Sequence, residues 1–459
     1  MKSRLHLLIA TMIVVSLVNA WFIADVCGEE ASIGLGRIVW RSHSNPSKGR
    51  DIPYSLCGYD DWIYIVGSEA SDQDIPIHRV EKRSKSNGSL LAFWRGDIHG
   101  EFRDCVVIGN RVYAVGYVEQ ERGTRTWIVA VFNTDLTLLN ISVRREFTYW
   151  SEAIAITVLR DSIYLAGFVG IAPDDTQWRV EKISADLSIL QTYEINPSNV
   201  YDVLTCFDAN HVTEELWIVG MNGLTGFWRI EVLDEDLNRK HIFEKEIPGY
   251  GLPNAITFDE NGSAYIAGAG IAVFSNRAEL LQVSTTFGYC PKLVYSNEIV
   301  YLFCTLMLEG YNRHIMYTID KQSFIAFTFI LSGDVNSYAY FANGKPHLDE
   351  DHIYVAGFDE LEDSGRWIIY SIEKIPDQIP VEHIITEPHT STITITIGFR
   401  DLIEQIKKGV STVTTLETPS SSIEIVEQKP SIDIKIIIFI LMFMFIASIL
   451  MFLIAKKER

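Results

Sequence analysis

Carboxylates and aromatic rings occupy neighbouring loops along this chain, and together they define the chemistry open to it. Asp72, Asp74, Glu119, Glu121, Asp174, Asp175, Asp359 and Glu360 fall in one set of predicted loops. Phe102, Phe147, Tyr149, Trp150, Tyr201, Tyr250, Tyr289 and Tyr338 fall in a second set, which the strand order described below brings to the same face. Two carboxylates held about 5–10 Å apart can cleave a glycosidic bond. Aromatic faces rimmed by carboxylates suit a carbohydrate or a basic peptide. Taken one at a time, the same rings also serve as packing between sheets. As a group, Tyr149, Trp150 and Tyr250 are the expected ligand-binding patch. No catalytic residue and no metal ligand is expected: the chain holds no His-Glu-x-x-His, no Gly-x-Ser-x-Gly, no P-loop and no dinucleotide fingerprint. His347 and His352 bracket Asp349-Glu350-Asp351, but this cluster sits where the other repeats have a turn and reads as solvated turn carboxylates. No cofactor is implied.

The elements that must position these loops form a repeated cassette of turn, apolar strand ending in Gly, loop and Trp-containing strand. It reads Trp62 to Gly67, Val112 to Gly116, Ile163 to Gly167, Leu216 to Gly220, Ala264 to Gly268, Val300 to Cys304 and Ile353 to Gly357. Repeats of this size built from short strands predict an all-β fold, a seven-bladed β-propeller of four-stranded antiparallel sheets over residues 33–376. In the third copy, Ala153 to Leu159 is the inner strand, Ser162 to Phe168 the second, Val169 to Gln177 a loop, Trp178 to Ile183 the third strand and Leu187 to Ile195 the outer one. The seventh copy lacks an outer strand. Leu35 to Trp40 resembles the outer segments and is expected to supply it, closing the ring and hiding sheet edges. A Gly ending the second strand lets a neighbouring sheet approach or the strand bend.

The ends give an address. Residues 1–20 read as a secretory signal peptide with a basic start and Val18-Asn19-Ala20 at its end. The apolar stretch continues to about residue 26, so an uncleaved anchor is the alternative. Ile436 to Ala455 is twenty residues without a charge, about 30 Å as a helix, and predicts a transmembrane span. Lys456 to Arg459 would be a cytoplasmic tail. The expected location is therefore the cell membrane, single-pass, with the propeller outside. Residues 377–435 are rich in Thr and Ser and read as a stalk or a small β module. The net charge of −20 excludes nucleic acid as a partner. The sequons at Asn87, Asn140 and Asn261 are candidate glycosylation sites. Cys290 and Cys304 are equidistant from Asn297 and could form a cross-strand disulfide or stay as small core residues. Cys57, Cys105 and Cys206 read as buried thiols.

The repeats resemble those of secreted bacterial and archaeal β-propeller proteins, on Ile163-Tyr164-Leu165-Ala166-Gly167-Phe168 and Ile353-Tyr354-Val355-Ala356-Gly357-Phe358 followed by Trp-bearing strands. The membrane-anchored layout is similar to that of archaeal surface proteins. The resemblance implies fold and not function, because propellers host many unrelated activities. WD40, kelch and sialidase signatures are missing. The expected function is ligand binding at the cell surface, protein or glycan, through the loop face. The alternatives are a surface hydrolase or lyase using loop carboxylates and an architectural component of the surface layer.

Overall fold

The computed structural model describes residues 37–375, except for 121–122, 248–250, 285–287, 309–310, 322–325, 332–337 and 362–363, together with residues 378–383 and 393–398. The expected signal peptide, transmembrane span and cytoplasmic tail lie outside the described residues, and no helix among those described is long and apolar enough to cross a membrane.

Every regular element is a β-strand. The first, β1 (Ile38–Ser44), stands apart from its chain neighbours. After it the chain folds into successive antiparallel ladders, each made by strands consecutive in sequence. The opening ladder joins β2 (Ile52–Tyr59), β3 (Trp62–Ala70), β4 (Pro76–Ser84) and the front of β5 (Leu90–Ile108). The rear of β5 begins the next, with β6 (Arg111–Glu119), β7 (Arg125–Asn133) and β8 (Leu138–Val143). The long β5 changes ladders at Gly100, where φ is +151° and a Cβ would collide with the Tyr117 carbonyl and the His78 ring.

The third ladder is β9 (Glu152–Leu159), β10 (Ser162–Ala172), β11 (Asp175–Ile183) and β12 (Ile189–Ile195). Its stretch 169–177, expected as a loop, is mostly strand, because the β10–β11 pairing runs on through Val169↔Gln177 to a tight turn after Ala172. Next come β13 (Val203–Asn210), β14 (Glu215–Met221), β15 (Trp228–Leu233) and β16 (Arg239–Lys245). The short strands β17 (Ala255–Phe258), β18 (Ala264–Ala267), β19 (Ile271–Phe274) and β20 (Leu280–Val283) follow. They are followed by β21 (Tyr289–Ser296), β22 (Ile299–Leu308), β23 (Tyr311–Asp320) and β24 (Ala326–Ile330). In the last ladder, β25 (Tyr338–Tyr340) and β26 (His347–Leu348) both pair with β27 (His352–Leu361), which pairs with β28 (Ser364–Glu373). The free edge of β28 is covered by β1, from Ile38↔Ile372 to Ser44↔Trp367. A separate hairpin, β29 (Gln378–His383) with β30 (Ile393–Gly398), lies within the Thr/Ser-rich stretch.

The apolar side chains explain why the ladders stack. Each hydrophobic cluster draws on two consecutive ladders, such as Tyr113 and Val115 with Ile156 and Leu165, or Trp217 and Val219 with Ile266 and Phe274. A further cluster joins Ile63 and Ile65 of the first ladder to Trp367 and Ile369 of the last. Trp127, Trp178, Trp228 and Trp367, one per cassette, are all buried in these seams.

Three seams also carry a buried glutamate. Ser44 donates to Glu81 at 2.6 Å, Arg144 lies 3.0 Å from Glu181, and the Tyr193 hydroxyl donates to Glu231. Each partner comes from the outer strand of the preceding ladder or just beyond it. Where the glutamate is replaced by Ala130 or Ala272, the incoming side chain is Trp94 or Phe243 instead. Volume and polarity are therefore matched seam by seam, since a buried charge is tolerated only when paired.

Candidate functional site

The site is built by a recurring irregularity. Within each of the first four second strands sits Gly67, Gly116, Gly167 or Gly220, and a Cβ there would strike the carbonyl of Ile52, Glu101, Glu152 or Val203 on the inner strand. This close approach accompanies a register shift in the inner strand, between Pro53 and Ser55, Phe102 and Asp104, Ala153 and Ala155, and Leu204 and Cys206. Such a bulge leaves one extra residue and re-aims its side chain. The extra residues are Tyr54, Arg103, Ile154 and Thr205, and all four line one cavity of about 480 Å³. The recurrent glycine thus serves two approaches, that of the inner strand within its own ladder and, at Gly167 and Gly220, that of Trp127 and Trp178 from the preceding ladder.

In the last ladder the bulge grows into the excursion 341–346 between β25 and β26, which carries Lys345 to the cavity. Lys345 Nζ lies 2.9 Å from Asp208 Oδ1 and 3.6 Å from Asp104 Oδ2, and it donates to the Ile156 carbonyl at 3.2 Å. Burial opposes its charge, but Asp208 and Asp104 outweigh that and raise its pKa. One residue so ties the inner strands β5, β9 and β13. Its backbone is also held by β2, through Ser55 Oγ at 3.1 Å and the Leu56 amide at 3.1 Å.

The cavity has two unlike walls. Val203, Leu204, Leu252, Ile256 and Leu293 make one side apolar. Arg50, Tyr54, Arg103, Asp104 and Glu152 make the other charged. Arg103 Nη2 reaches Glu101 at 3.0 Å and Glu152 at 3.1 Å, and its guanidinium lies 4.3 Å from the Tyr54 ring centre. Arg125 also bonds Glu152 and stands 4.0 Å over Tyr117. Burial pushes the Glu152 carboxyl up, yet Arg103, Arg125 and the Trp150 indole N–H together hold it below its ordinary value. The Tyr54 hydroxyl donates to Glu101 at 2.9 Å and is raised by burial, so it is a poor base at neutral pH.

Of the expected binding patch, Tyr149 and Trp150 are exposed and adjacent, whereas Tyr250 lies outside the described residues. Trp150 donates through Nε1 to Glu152 at 2.6 Å, and its ring sits 5.7 Å from Tyr201 and 6.4 Å from Phe168, a cavity-lining residue. The other expected loop aromatics divide: Phe102 and Phe147 are buried packing, while Tyr289 is exposed and bonds Asn343 through its hydroxyl. Asp359, expected in a loop, is buried and bonded to Arg366.

His347 lines no metal cluster, and none is found among the described residues. Its ring packs beside Tyr354 and its Nε2 is buried without a partner. Asp349 caps the turn instead, accepting from the His352 amide at 2.8 Å and facing Lys85 at 3.4 Å.

Cys290 and Cys304 are bonded across the β21–β22 hairpin, with Cα atoms 4.0 Å apart. Cys57 and Cys105 are bonded as well, against the expectation of thiols, because the inner strands of consecutive ladders bring their Cα atoms to 5.8 Å. Cys206 remains a buried thiol whose pKa burial pushes up to about 12. Asn87, Asn140 and Asn261 are all exposed.

Three histidines give the fold an acid-sensitive window. Burial lowers His78, His314 and His347 to about 4, and Lys85 adds to the effect at His347. Their folded pKa lies below the unfolded value, so the unfolded chain binds more protons between about pH 6.5 and 4. Stability is expected to fall as pH drops through that window and to be insensitive to these groups above it. Urea midpoints measured against pH test this; His347→Leu should lose less than the parent between the two limits, and an equal loss would assign the slope elsewhere.

No protein-family model matches the chain, and no curated protein is recognisably related by sequence. Among solved structures, the WD40 β-propeller domain of Doa1 matches with a TM-score of 0.50 and 7% identity, over 74% of this chain and 97% of that one. The polysaccharide lyase Uly1 matches at 0.48 and 9%, over 70% and 89%. The β-propeller domain of the Trilobed protease from Pyrococcus furiosus matches at 0.40 and 11%, over 66% and 91%. The Doa1 likeness agrees with the ladder order in making this chain a β-propeller repeat protein. At these identities the likeness is one of fold and carries over no activity.

Proposed function

We propose that the chain is a seven-bladed propeller, closed by β1 in its last blade, that binds a glycan or protein ligand at the cavity mouth beside Trp150 and is displayed at the cell surface by its C-terminal span. The observation that carries the binding reading is the meeting of an exposed Trp150, Tyr201 and Phe168 with a cavity of about 480 Å³ whose charged groups are already paired. That volume is ordinary for a ligand site. Two disulfides and three exposed sequon asparagines support export, since disulfides persist in oxidising compartments. Glycans at Asn87, Asn140 and Asn261 belong to the same reading.

The hydrolase or lyase reading has less support. A general acid needs a raised pKa and a free proton to give. Glu152 is held ionised, and Asp104, although burial raises its pKa, has both oxygens engaged by Ser55, Cys105 and Ile156.

The test is a glycan and peptide array probed with the full chain in detergent. Trp150→Ala should weaken binding of any ligand found by about tenfold or more, the scale of a lost aromatic anchor. Binding unchanged by Trp150→Ala, or no ligand at all, would remove the mouth from consideration.

A further inference from the structure

We propose that the cavity takes a short acidic saccharide, with a sugar carboxylate set against Arg103 and Arg50. This narrows the ligand class of the binding reading above and rests on it.

The argument is a census of donors and acceptors on the polar wall. The acceptors are already occupied. Glu152 Oε1 receives Trp150 Nε1 and Arg125, and Oε2 receives Arg103 Nη2. Asp104 Oδ1 receives the Ser55 hydroxyl at 2.6 Å and the Cys105 amide at 2.9 Å, and Oδ2 receives the Ile156 amide at 3.0 Å and faces Lys345. Asn343 Oδ1 receives the Tyr289 hydroxyl at 2.6 Å.

Donors are left over. Arg103 meets its two carboxylates through Nη2 alone, and its Nε is buried with no partner. Arg50 engages Glu360 through Nε at 3.2 Å, lies 5.4 Å from the Phe358 ring centre, and keeps a side chain that is 58% exposed. The Asn343 amide NH2 adds two further donors to the lining. A wall with spare N–H groups, beside oxygens that each already hold a donor, favours a ligand group that only accepts. A carboxylate does so, and its plane matches a guanidinium. A neutral hydroxyl accepts as well, but it brings no charge to the guanidinium and forms the weaker bond.

The aromatic rim gives the saccharide its second contact. The exposed Trp150 ring, packed edge-to-face on the buried Phe168, offers a face beside Glu152, and the aliphatic wall accepts the C–H face of a pyranose. The rest of the protein limits length. A net charge of −20 and the exposed Asp74, which accepts from the amide of cavity-lining Arg50, repel a long polyanion, whereas a short oligomer meets mainly the local arginines.

The experiment is calorimetric titration of the full chain in detergent with galacturonate, glucuronate and mannuronate tetrasaccharides and with their carboxyl-reduced counterparts. At least one acidic form should bind about tenfold or more tightly than its reduced form, the scale of a charge-assisted pair. Arg103→Lys, which keeps the charge and loses the planar fork, should erase most of that preference. Arg50→Gln, at a side chain 58% exposed, is a second variant that should also reduce the preference. Equal affinity for acidic and reduced forms, abolished by Trp150→Ala, would overturn the acidic class and leave the binding site standing. Failure of every saccharide to bind would overturn the acidic class, and the glycan and peptide array with Trp150→Ala then decides the binding reading by itself.

Discussion

Deleting residues 37–44 from the full chain is expected to destroy cooperative folding and to produce aggregates. Those residues include the outer strand of the last ladder, paired with β28 from Trp367 to Ile372. They also make the seam with the first ladder. Trp40 Nε1 donates to the Lys85 carbonyl at 2.7 Å, and its ring lies 6.0 Å from Tyr354. Ser42 receives Arg83 at 2.7 Å, and Ser44 donates to Glu81. Removing them strips a partner from a fully buried glutamate, takes away the half-buried Trp40 ring altogether and bares the β28 edge. Losing a Trp side chain alone costs about 3–5 kcal/mol, and each lost ladder bond about 1 kcal/mol. The sum is comparable with the whole stability of a typical domain, about 5–15 kcal/mol. The exposed edge then invites pairing with other chains. Urea denaturation and size-exclusion chromatography read both effects. An unchanged midpoint with a monomeric peak would mean that β1 is dispensable and that the propeller does not depend on a strand from the other end of the chain.

The repeated architecture is legible in the sequence because the signal is local. A strand such as Ile163 to Gly167 carries its alternation, its terminal glycine and its place before a tryptophan strand within twenty residues, and the tertiary fold obeys it. The outer strand of the last ladder is visible in the same way, through Trp40; among the described residues it runs from Ile38 to Ser44, and Leu35 and Gly36 lie outside them. The cavity is not legible, for a physical reason. Tyr54, Arg103, Ile154 and Thr205 each sit at a one-residue bulge, and a bulge breaks the period of two by which inward and outward positions are told apart. The usable clue was the glycine: its place opposite Ile52, Glu101, Glu152 and Val203 marks where the inner strand must bulge. Cys57 and Cys105 lie on inner strands of consecutive copies, and their approach across the seam has no sequence spacing to announce it. Lys345 is the extreme case. Gly344-Lys345-Pro346 has no period at all, and its partners Asp104, Ile156 and Asp208 come from three other ladders.

That residue carries the second large expected effect. Lys345→Met keeps the length of the side chain and removes its charge, which leaves Asp104, only 2% exposed at its side chain, without a cation within 4 Å among the described residues. Breaking a buried pair by removing one partner typically costs about 3–5 kcal/mol. Lys345 and Asp208 are 29% and 25% exposed, so water compensates part of the loss and a value near ~3 kcal/mol is expected. Adding Asp104→Asn, which keeps an oxygen for the Ser55 hydroxyl, should recover part of that cost; a double-mutant cycle isolates the coupling. The pH dependence of the single variant has a definite sign. Burial already raises the Asp104 pKa, and removing Lys345 takes away the charge that opposes this shift. A carboxyl whose folded pKa exceeds its unfolded value binds more protons when folded, so the deficit relative to the parent should shrink as pH falls through the carboxylate range. A deficit that stays constant with pH, or a cycle with no coupling, would show that Lys345 acts through the packing of its methylenes and that the charges converging on the axis are solvated independently of one another.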